Sequence, residues 1–466
     1  MMFETVLLEN SDIQLIDGDR GKNYPKQADF SEDGFCLFLS AKNVTSSGFE
    51  FSERSYISSE KDELLRAGKL KRGDIVVTTR GTIGNVAYYG DDVPFDHIRI
   101  NSGMMIFRAD ENRWNKRFLY FLLTSSFIRQ QIDSLTSGSA VPQLPARDLK
   151  KFSLPNIPKN IQDRIERVVG DLTDKIKFNR QTNQTLEQIA QAIFKSWFVD
   201  FDPVKAKIET LAEGGSADDA ELAAMSVISA KTLDELNSLK ASNPEAFNKL
   251  AQTAALFPKD LDSETGTPAG WNSGVIADIA KLNANSWTKK NRPEQVHYVD
   301  LSNTKNGRIE TVTTYGFDEA PSRARRILNS GDTIIGTVRP GNRAFAFIGE
   351  TEKPLTGSTG FAVLSPKEEF WTSFVYLATT NDDAIDEYAR LADGGAYPAI
   401  KPEVVADTPC VLPTKDIAQK FWQLTGAMLK KAHQARLENE ELAKTRDTLL
   451  PKLLSGEINV TSEVVE

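Results

Sequence analysis

The chain repeats part of its own sequence, and a duplication of this kind restricts it to architectures built from two similar halves. The segment LKRGDIVVTTRGTIGNVAYYG (70–90) resembles LNSGDTIIGTVRPGNRAFAFIG (328–349). Both contain a Gly-Asp turn, an apolar run, an Arg-containing loop with Gly and Asn, and a second apolar run. Gly73 and Gly331 lie 258 positions apart.

Further matches follow in the same order, which indicates a real duplication. The segment GSAVPQL (138–144) resembles GGAYPAI (394–400) at an offset of 256 positions, and Leu154-Pro155 matches Leu412-Pro413. Four apolar pairs, all 256 positions apart, come after each Leu-Pro: Ile165 with Phe421, Val168 with Leu424, Leu172 with Met428, and Leu186 with Leu442.

Each copy begins with a strand-rich part and ends with a long helix. Short β-branched or aromatic runs between Gly, Pro and Asn, such as 35–39 and 104–107, predict a mixed α/β domain. From Ile161 and from Ile417 onward, apolar residues recur every three or four positions, which predicts two long helices with heptad seams. The predicted seam residues are Ile165, Val168, Leu172, Leu186, Ile189 and Ile193, then Phe421, Leu424, Met428, Ala435, Leu442 and Leu449.

Both seams become polar near their middle. The polar positions are Lys175, Asn179 and Thr182 in the first helix, and Lys431 and Glu438 in the second. Matched interruptions favour pairing of the two helices with each other, with the polar residues setting the register. The alternative is that each helix packs only on its own domain.

The net charge of −9 does not exclude a nucleic-acid partner, because the acidic residues are concentrated in two segments. Residues 209–264 hold eleven acids against four lysines, and 456–466 hold three acids and no base. The rest of the chain therefore sums to +1, and it includes the basic cluster of Arg323, Arg325, Arg326, Arg339 and Arg343.

The motifs of several enzyme classes are missing from the sequence. It has no Pro-Pro pair, which the base-gripping motif of a DNA methyltransferase needs, and no GxxxxGK[ST] phosphate loop. The three histidines are far apart, and the two cysteines suggest neither a disulfide framework nor a metal cluster. We therefore expect a non-catalytic protein without a cofactor or metal of its own. No apolar run reaches the length of a membrane helix, so we also expect a cytoplasmic protein that does not contact membranes.

Four segments together resemble the specificity (S) subunits of type I restriction-modification systems, and the resemblance covers essentially the whole chain. They are LEQIAQAIFKSWFVDFDPVKAK (186–207), TRDTLLPKLLSGEINV (445–460), DGDRGKNYP (17–25) and TPAGW (267–271). The resemblance implies an α+β fold in which two mixed α/β target-recognition domains, in pseudo-twofold repeat, are separated by two long antiparallel coiled-coil helices.

The resemblance also implies function and partners. Each recognition domain would read one half of a bipartite, gapped sequence in double-stranded DNA. Two copies of a methyltransferase (M) subunit that modifies adenine N6 would bind around the helices, and restriction/translocase (R) subunits would join them. S-adenosylmethionine, ATP and Mg²⁺ are expected on those partner subunits. Two alternatives stay open: a coiled-coil scaffold that reads no sequence, and a self-contained DNA methyltransferase or nuclease with unrecognised motifs.

The predicted domain boundaries follow from the repeat. They are 1–157 for the first recognition domain, 158–200 for the first long helix, 201–268 for an acidic helical connector, 269–414 for the second recognition domain, 415–455 for the second long helix, and 456–466 for a flexible acidic tail. A helix from Ile161 to Phe198 would span roughly 57 Å at about 1.5 Å per residue. At about 3.4 Å per base pair, this length limits the separation of the half-sites to roughly 17 base pairs.

Candidate DNA contacts are polar and basic residues in predicted loops, because Arg, Asn and Gln can read base edges and Lys can neutralise phosphate. In the first domain they are Lys22, Asn23, Tyr24, Lys42, Arg80, Thr82 and Gln143, and in the second they are Lys289, Lys290, Arg292, Arg339, Asn342, Arg343 and Tyr397. For each residue the alternative is a capped turn or an exposed charge.

Candidate contacts with the M subunits are apolar and aromatic residues at the helix ends, since such residues often anchor interfaces. They are Ile193, Phe194, Trp197, Phe198 and Phe201, with Leu449, Leu450, Leu453 and Leu454 as their counterparts. The alternative is that they pack inside this chain against the recognition domains.

Overall fold

The computed structural model describes residues 3–136 and 143–459 and divides the chain into two compact units. The first unit comprises Met1–Phe178 with Glu438–Glu466, and the second comprises Asn179–Leu437. Each unit therefore contains one strand-rich domain and a part of both long helices. Residues 138–142 of the GSAVPQL segment, and residues 460–466 of the predicted tail, lie outside the described residues.

The domain of the first unit contains two sheets and four α-helices among its described residues. In spatial order, the four-stranded sheet consists of Ile13–Asp17, Met104–Ala109, Ile75–Thr78 and Val86–Tyr88, and the three-stranded sheet consists of Tyr56–Ile57, Cys36–Leu39 and Ile98–Ile100. Two further strand pairs are Thr5–Leu7 with Ser153–Pro155, and Val44–Thr45 with Gly48–Phe49. The helices are Ser59–Leu64, Lys116–Thr124, Ser126–Thr136 and Ala146–Leu149.

The domain of the second unit repeats this topology and adds one strand, Ala324–Leu328, to its second sheet. Its first sheet consists of Ala280–Leu282, Phe361–Pro366, Thr333–Gly336 and Phe345–Phe347, and its second of Thr313–Gly316, Gln295–Val299, Leu355–Ser358 and Ala324–Leu328. The further pairs are Asn272–Val275 with Pro409–Leu412, and Thr304–Lys305 with Arg308–Ile309. The helices are Ile276–Ile279, Thr372–Thr380, Asp382–Leu391 and Pro402–Ala406.

Equivalent hydrogen bonds in the two domains show that the sequence repeat is also a structural repeat. The backbone amide of Leu144 donates to the carbonyl of Thr79 at 3.0 Å, and that of Ile400 donates to the carbonyl of Thr337 at 2.9 Å. In both domains this bond joins the loop between a central strand and the neighbouring edge strand to the repeated segment at 138–144 or 394–400.

Both faces of each first sheet are covered, which explains why their central strands are almost entirely apolar. In the first unit, Ile75 and Val77 belong to one buried cluster and Val76 to another, because alternate residues of a strand point to opposite faces. In the second unit Ile335 and Ile334 are divided in the same way.

The segment between the domains consists of four helices that belong to the second unit. They are Asp202–Ala212, Ala217–Ser229, Leu233–Ser242 and Pro244–Ala255. The buried ammonium group of Lys207 holds this segment together, because it donates to the carbonyls of Ala254 and Phe257 and to Glu221, each at 2.8 Å.

The two long helices, Lys159–Phe198 and Lys415–Ser455, run antiparallel in the parts that each unit contains. In the second unit, the Asn183 side chain donates to the Ala432 carbonyl at 3.0 Å, and the Phe194 ring lies 6.2 Å from that of Phe421. In the first unit, Lys175 forms an ion pair of 3.5 Å with Glu438, both of which were predicted as polar interruptions.

The predicted seam is correct at four of its six positions in the first helix and displaced by one residue at the other two. Val168 and Ile189 are about two-fifths exposed, at 41% and 42%, whereas Val169 and Ala190 are fully buried. One row of buried and half-buried residues along this helix is spaced by four and three positions: Ile165, Val169, Leu172, Ile176, Asn179, Asn183, Leu186, Ala190, Ile193 and Trp197. In the second helix Leu424 is exposed and Thr425 is buried, so the same displacement occurs there.

The predicted class, α+β with two mixed α/β domains and two long antiparallel helices, is confirmed. In the part of the chain that the structure describes, no helix is both long and apolar enough to cross a membrane.

Candidate nucleic-acid interface

In the second unit, one loop carries three of the candidate DNA contacts. It joins the central strand Thr333–Gly336 to the edge strand Phe345–Phe347 and contains a short 3₁₀ turn, Pro340–Asn342, with an arginine on either side. The Asn342 side chain is exposed, and its backbone amide donates to the Arg339 carbonyl at 2.8 Å.

The two arginines of this loop differ in what they contact. The Arg339 guanidinium lies 4.6 Å from the centre of the Tyr397 ring, and Tyr397 is 72% exposed. The Arg343 guanidinium instead donates to the Asn306 side chain at 3.0 Å and to Asp382 at 2.6 Å. The structure therefore places Arg339 and Tyr397 together on the surface and uses Arg343 within the fold.

A second group of basic residues surrounds the Phe317 ring in the same unit. The guanidinium carbons of Arg292 and Arg325 lie 5.8 and 5.1 Å from the ring centre, and Arg292 also forms an ion pair with Asp318 at 2.5 Å. Lys289 and Lys290 are exposed in the loop that precedes Arg292. This side of the domain presents cations next to an aromatic face, an arrangement suited to an anionic polymer.

Arg326 is half-buried, and among the described residues no carboxylate forms an ion pair with it. Its Nη1 donates to Ser286 Oγ at 3.2 Å, and burial lowers the pKa of its guanidinium below the usual value. Its Nε is buried without a hydrogen-bond partner in the protein. The sequence had indicated a basic cluster at Arg323, Arg325 and Arg326 but had not assigned these residues to the site.

In the first unit, two candidates line the same surface cavity. Lys42 and Thr82 border a cavity of about 500 Å³ together with Asn85 and Arg129. Lys42 is largely exposed and forms an ion pair with Glu53 at 3.1 Å. Sequence reasoning missed Asn85 and Arg129, although Asn85 belongs to the repeated Gly-Asn signature and was therefore detectable.

The other candidates of the first unit divide between surface and interior. Lys22, Arg80 and Gln143 are exposed. Asn23 donates from its side chain to the Leu64 carbonyl at 3.2 Å, and Tyr24 packs edge-on against Phe38 with ring centres 5.8 Å apart. Asn23 and Tyr24 thus make contacts within the domain, and their role in DNA binding stays a prediction.

The comparisons with known proteins identify the family. A family model described as the type I restriction modification DNA specificity domain matches residues 7–188. The type I restriction enzyme HindI specificity subunit of Haemophilus influenzae is 30% identical over 459 residues, which cover 95% of this chain and 98% of that protein. The chain belongs to the family of type I restriction enzyme specificity subunits.

Other relatives are more distant. The type I restriction enzyme MjaIX specificity subunit of Methanocaldococcus jannaschii is 22% identical over 401 residues, or 84% of this chain and 78% of that protein. The crystal structure of a type I restriction-modification S subunit from M. genitalium aligns with 97% of this chain and 96% of its own, at 15% identity and a TM-score of 0.49. As a specificity subunit, the chain supplies the DNA-recognition function of a type I restriction-modification system.

In this specificity subunit, most of the predicted M-subunit contacts lie inside the chain. Phe194, Trp197 and Phe198 are at most 5% exposed and pack in the core of the second unit, with Ile193 and Phe201 partly buried beside them. Leu450, Leu453 and Leu454 are buried in the core of the first unit, with Leu449 partly buried. The buried side chains therefore pack as the alternative describes, and their direct contact with an M subunit stays a prediction.

Aromatic residues that anchor a helix inside a chain have the same composition as aromatic residues that a partner subunit covers. The Phe198 ring contacts Phe374 and Phe421 edge-on, with ring centres 5.0 and 4.8 Å apart. These aromatic residues fasten the helix to the recognition domain of their own unit. Sequence alone does not distinguish such an anchor from one that a partner covers.

The two cysteines of the specificity subunit are unreactive structural residues. Burial raises the pKa of the Cys36 thiol and of the Cys410 thiol to about 12, so both remain protonated at neutral pH. Within residues 3–136 and 143–459, no group of three or more His, Cys, Asp or Glu side chains is arranged to hold a metal ion.

Proposed function

We propose that this specificity subunit is a non-catalytic DNA reader whose two recognition domains each bind one half of a gapped target. The observation that supports this most directly is the strand-for-strand repetition of one domain with different residues at equivalent loop positions. Gly81 in the first copy aligns with Arg339 in the second, for example. Two copies of one fold with unlike loops suit two unlike half-sites.

The antiparallel helices would set the distance between the half-sites. A continuous helix of 40 residues, Lys159–Phe198, corresponds to roughly 60 Å at about 1.5 Å per residue. A rigid spacer of this kind favours one gap length, with roughly 17 base pairs as an upper limit. A target with a fixed gap is therefore the expected form of the recognition sequence.

The proposed partners carry the chemistry. Two M subunits would bind the specificity subunit and methylate adenine N6, and R subunits would add translocation and cleavage. S-adenosylmethionine, ATP and Mg²⁺ would be held by these subunits. We expect the complex to act in the cytoplasm, because that is where its proposed DNA target lies.

Reconstitution tests this proposal. The chain is purified alone and together with the M subunit of its own system, the subunit ratio is measured by native mass spectrometry, and methyl transfer to duplex DNA is followed. We expect two M subunits per chain, sequence-dependent methylation by the complex, and no methylation by the chain alone. Methylation or cleavage by the chain alone would show a self-contained enzyme, and methylation without sequence preference would show a scaffold.

A further inference from the structure

The loops at 79–85 and 337–343 connect equivalent strands of the two domains, and the connection in the second domain is one residue longer. Each contains two residues in the left-handed region. In the first domain they are Gly81, with φ of 75°, and Gly84, with φ of 82°. In the second domain they are Arg339, with φ of 48°, and Arg343, with φ of 59°. Arginine thus occupies two positions where the same loop elsewhere in this chain uses glycine.

Left-handed backbone costs free energy for any residue with a Cβ, whereas glycine adopts it without this cost. Two arginines at such positions require compensation, and strained non-glycine residues often occur where a side chain has a task. The contacts of each arginine show which of them is compensated within the fold.

Arg343 is compensated inside the protein. Its Nε donates to Asn306 and its Nη2 to Asp382, and these bonds tie the loop to the hairpin Thr304–Ile309 and to the start of the helix Asp382–Leu391. Arg343 is therefore a positioning residue that holds the loop in place.

Arg339 has no such compensation. Among the described residues, its guanidinium donates only to the Ala396 carbonyl, at 2.7 Å, and no carboxylate forms an ion pair with it. Its backbone amide donates to the Pro398 carbonyl at 2.7 Å, which brings the loop alongside the segment that carries Tyr397. The exposed ring of Tyr397 lies beside the guanidinium, with 4.6 Å between the guanidinium carbon and the ring centre.

This pair occurs in only one of the two domains. The sequence repeat aligns Gly81 with Arg339 and Val141 with Tyr397, and Val141 lies outside the described residues. A difference confined to one copy is expected of residues that distinguish the two half-sites, and it is not required by the shared fold.

We propose that Arg339, supported by Tyr397, is a specificity-determining residue of the second recognition domain and reads a guanine in the major groove. A guanidinium held flat on an aromatic ring can present two parallel N–H groups, which match O6 and N7 of guanine. The inference rests on the proposed function, since it requires that the second domain contact a half-site.

The test uses the complete methyltransferase complex and a set of duplexes in which each position of the second half-site is changed in turn. With the wild-type chain, one G·C position should lower the methylation rate at least tenfold when it is changed. With Arg339→Gly, which restores the residue of the first copy, that ratio should fall below about threefold. The ratios at all other positions should remain as in the wild type.

Three further measurements distinguish the role of Arg339 in base reading from effects on folding or on charge. Thermal unfolding of Arg339→Gly should occur at or above the wild-type temperature, because glycine relieves the left-handed backbone. Arg390→Ala removes an exposed arginine of the same domain that pairs with Glu387, and it should leave every ratio unchanged. Arg339→Lys keeps the charge but not the fork of donors, and it should behave like Arg339→Gly.

The possible outcomes distinguish failure of the role of Arg339 from failure of the proposed function. An unchanged ratio at every position, or an equal decrease at all positions, would overturn the role of Arg339 as a base reader while leaving the gapped target intact. A wild-type complex that shows no position-dependent ratio at all would overturn the proposed function itself.

Discussion

The hydroxyl of Tyr376 donates a hydrogen bond of 2.7 Å to Glu187 Oε1, which connects the second recognition domain to the first long helix within one unit. Tyr376 is buried, and burial together with the charge of Glu187 raises the pKa of its phenol well above the usual value. The proton therefore stays on Tyr376 and the negative charge on Glu187. This hydrogen bond helps to hold the second recognition domain on the first long helix, which is part of the proposed spacer between the half-sites.

Removing this hydroxyl should destabilise the second unit. Tyr376→Phe leaves the Glu187 carboxylate without its donor, and a hydrogen bond to a charged group contributes about 1.5–3 kcal/mol. We expect a loss of this size in urea unfolding. Tyr315→Phe is the matched control, because the Tyr315 hydroxyl forms no hydrogen bond with the described residues, and equal stability of the two variants would contradict the role of Tyr376.

The Asn183 side chain should lower the free energy of unfolding while it fixes the register in which the two long helices pair. Its Nδ2 donates to the Ala432 carbonyl, but its Oδ1 is buried without a hydrogen-bond partner. Asn183→Leu removes a buried unsatisfied polar atom and should raise the free energy of unfolding by about 1–2 kcal/mol. A decrease in the unfolding temperature would show that the Asn183 side chain is a net stabilising contact.

Asp74 and Asp332 occupy equivalent positions of the repeat but have different surroundings. The Arg108 guanidinium contacts both oxygens of Asp74, at 2.9 and 2.6 Å. In the second copy no cation takes this place, and burial raises the pKa of Asp332. The ionised form of Asp332 therefore costs stability at neutral pH, and this cost is relieved as the pH falls through the folded pKa toward the unfolded value of 3.8.

Opposite effects are expected when each aspartate is replaced by asparagine. Asp74→Asn should lower the stability of the first unit at pH 7 by about 2 kcal/mol, because it removes a charge-assisted pair. Asp332→Asn should raise the stability of the second unit at pH 7, and this gain should decrease as the pH falls through the folded pKa of Asp332 and vanish near the unfolded value of 3.8. Urea titrations at several pH values measure both effects, and destabilisation by Asp332→Asn at pH 7 would refute this description of its surroundings.

Trp197 should act through stability and not through direct contact with the M subunit. Trp197→Ala removes a buried ring that lies 5.0 Å from Phe257 and 5.8 Å from Phe421, and such a deletion costs about 3–5 kcal/mol. Val199→Ala, at an exposed apolar position two residues away, should change stability by less than about 0.5 kcal/mol. Wild-type stability of Trp197→Ala combined with loss of M-subunit binding would restore Trp197 to the partner interface.

The sequence was informative where many residues agree on one feature. The duplication, the mixed α/β domains and the two long helices each depend on patterns spread over tens of residues, so local exceptions do not obscure them. The seam was displaced at Val168 and Ile189 because each helix packs on both its partner helix and its own domain. Apolar residues therefore occur on more than one stripe of the helix, and spacing alone does not identify the inner one.

The residues of the candidate interface were harder to predict because their roles depend on contacts distant in sequence. Arg339 and Arg343 are four residues apart in one loop, yet Asn306 and Asp382 engage only Arg343. Tyr24 was selected as a polar loop residue, and its ring packs on Phe38 instead. The local sequence does not distinguish an arginine that holds a turn through hydrogen bonds from an arginine whose side chain is exposed.

The central claim is that this chain determines which DNA sequence its system modifies. The most direct measurement is a genome-wide map of N6-methyladenine in cells that express the M subunit with and without the chain. We predict a single two-part motif with a fixed gap, present only when the chain is expressed. Methylation that is unchanged by the chain, or confined to one short continuous sequence, would contradict the account.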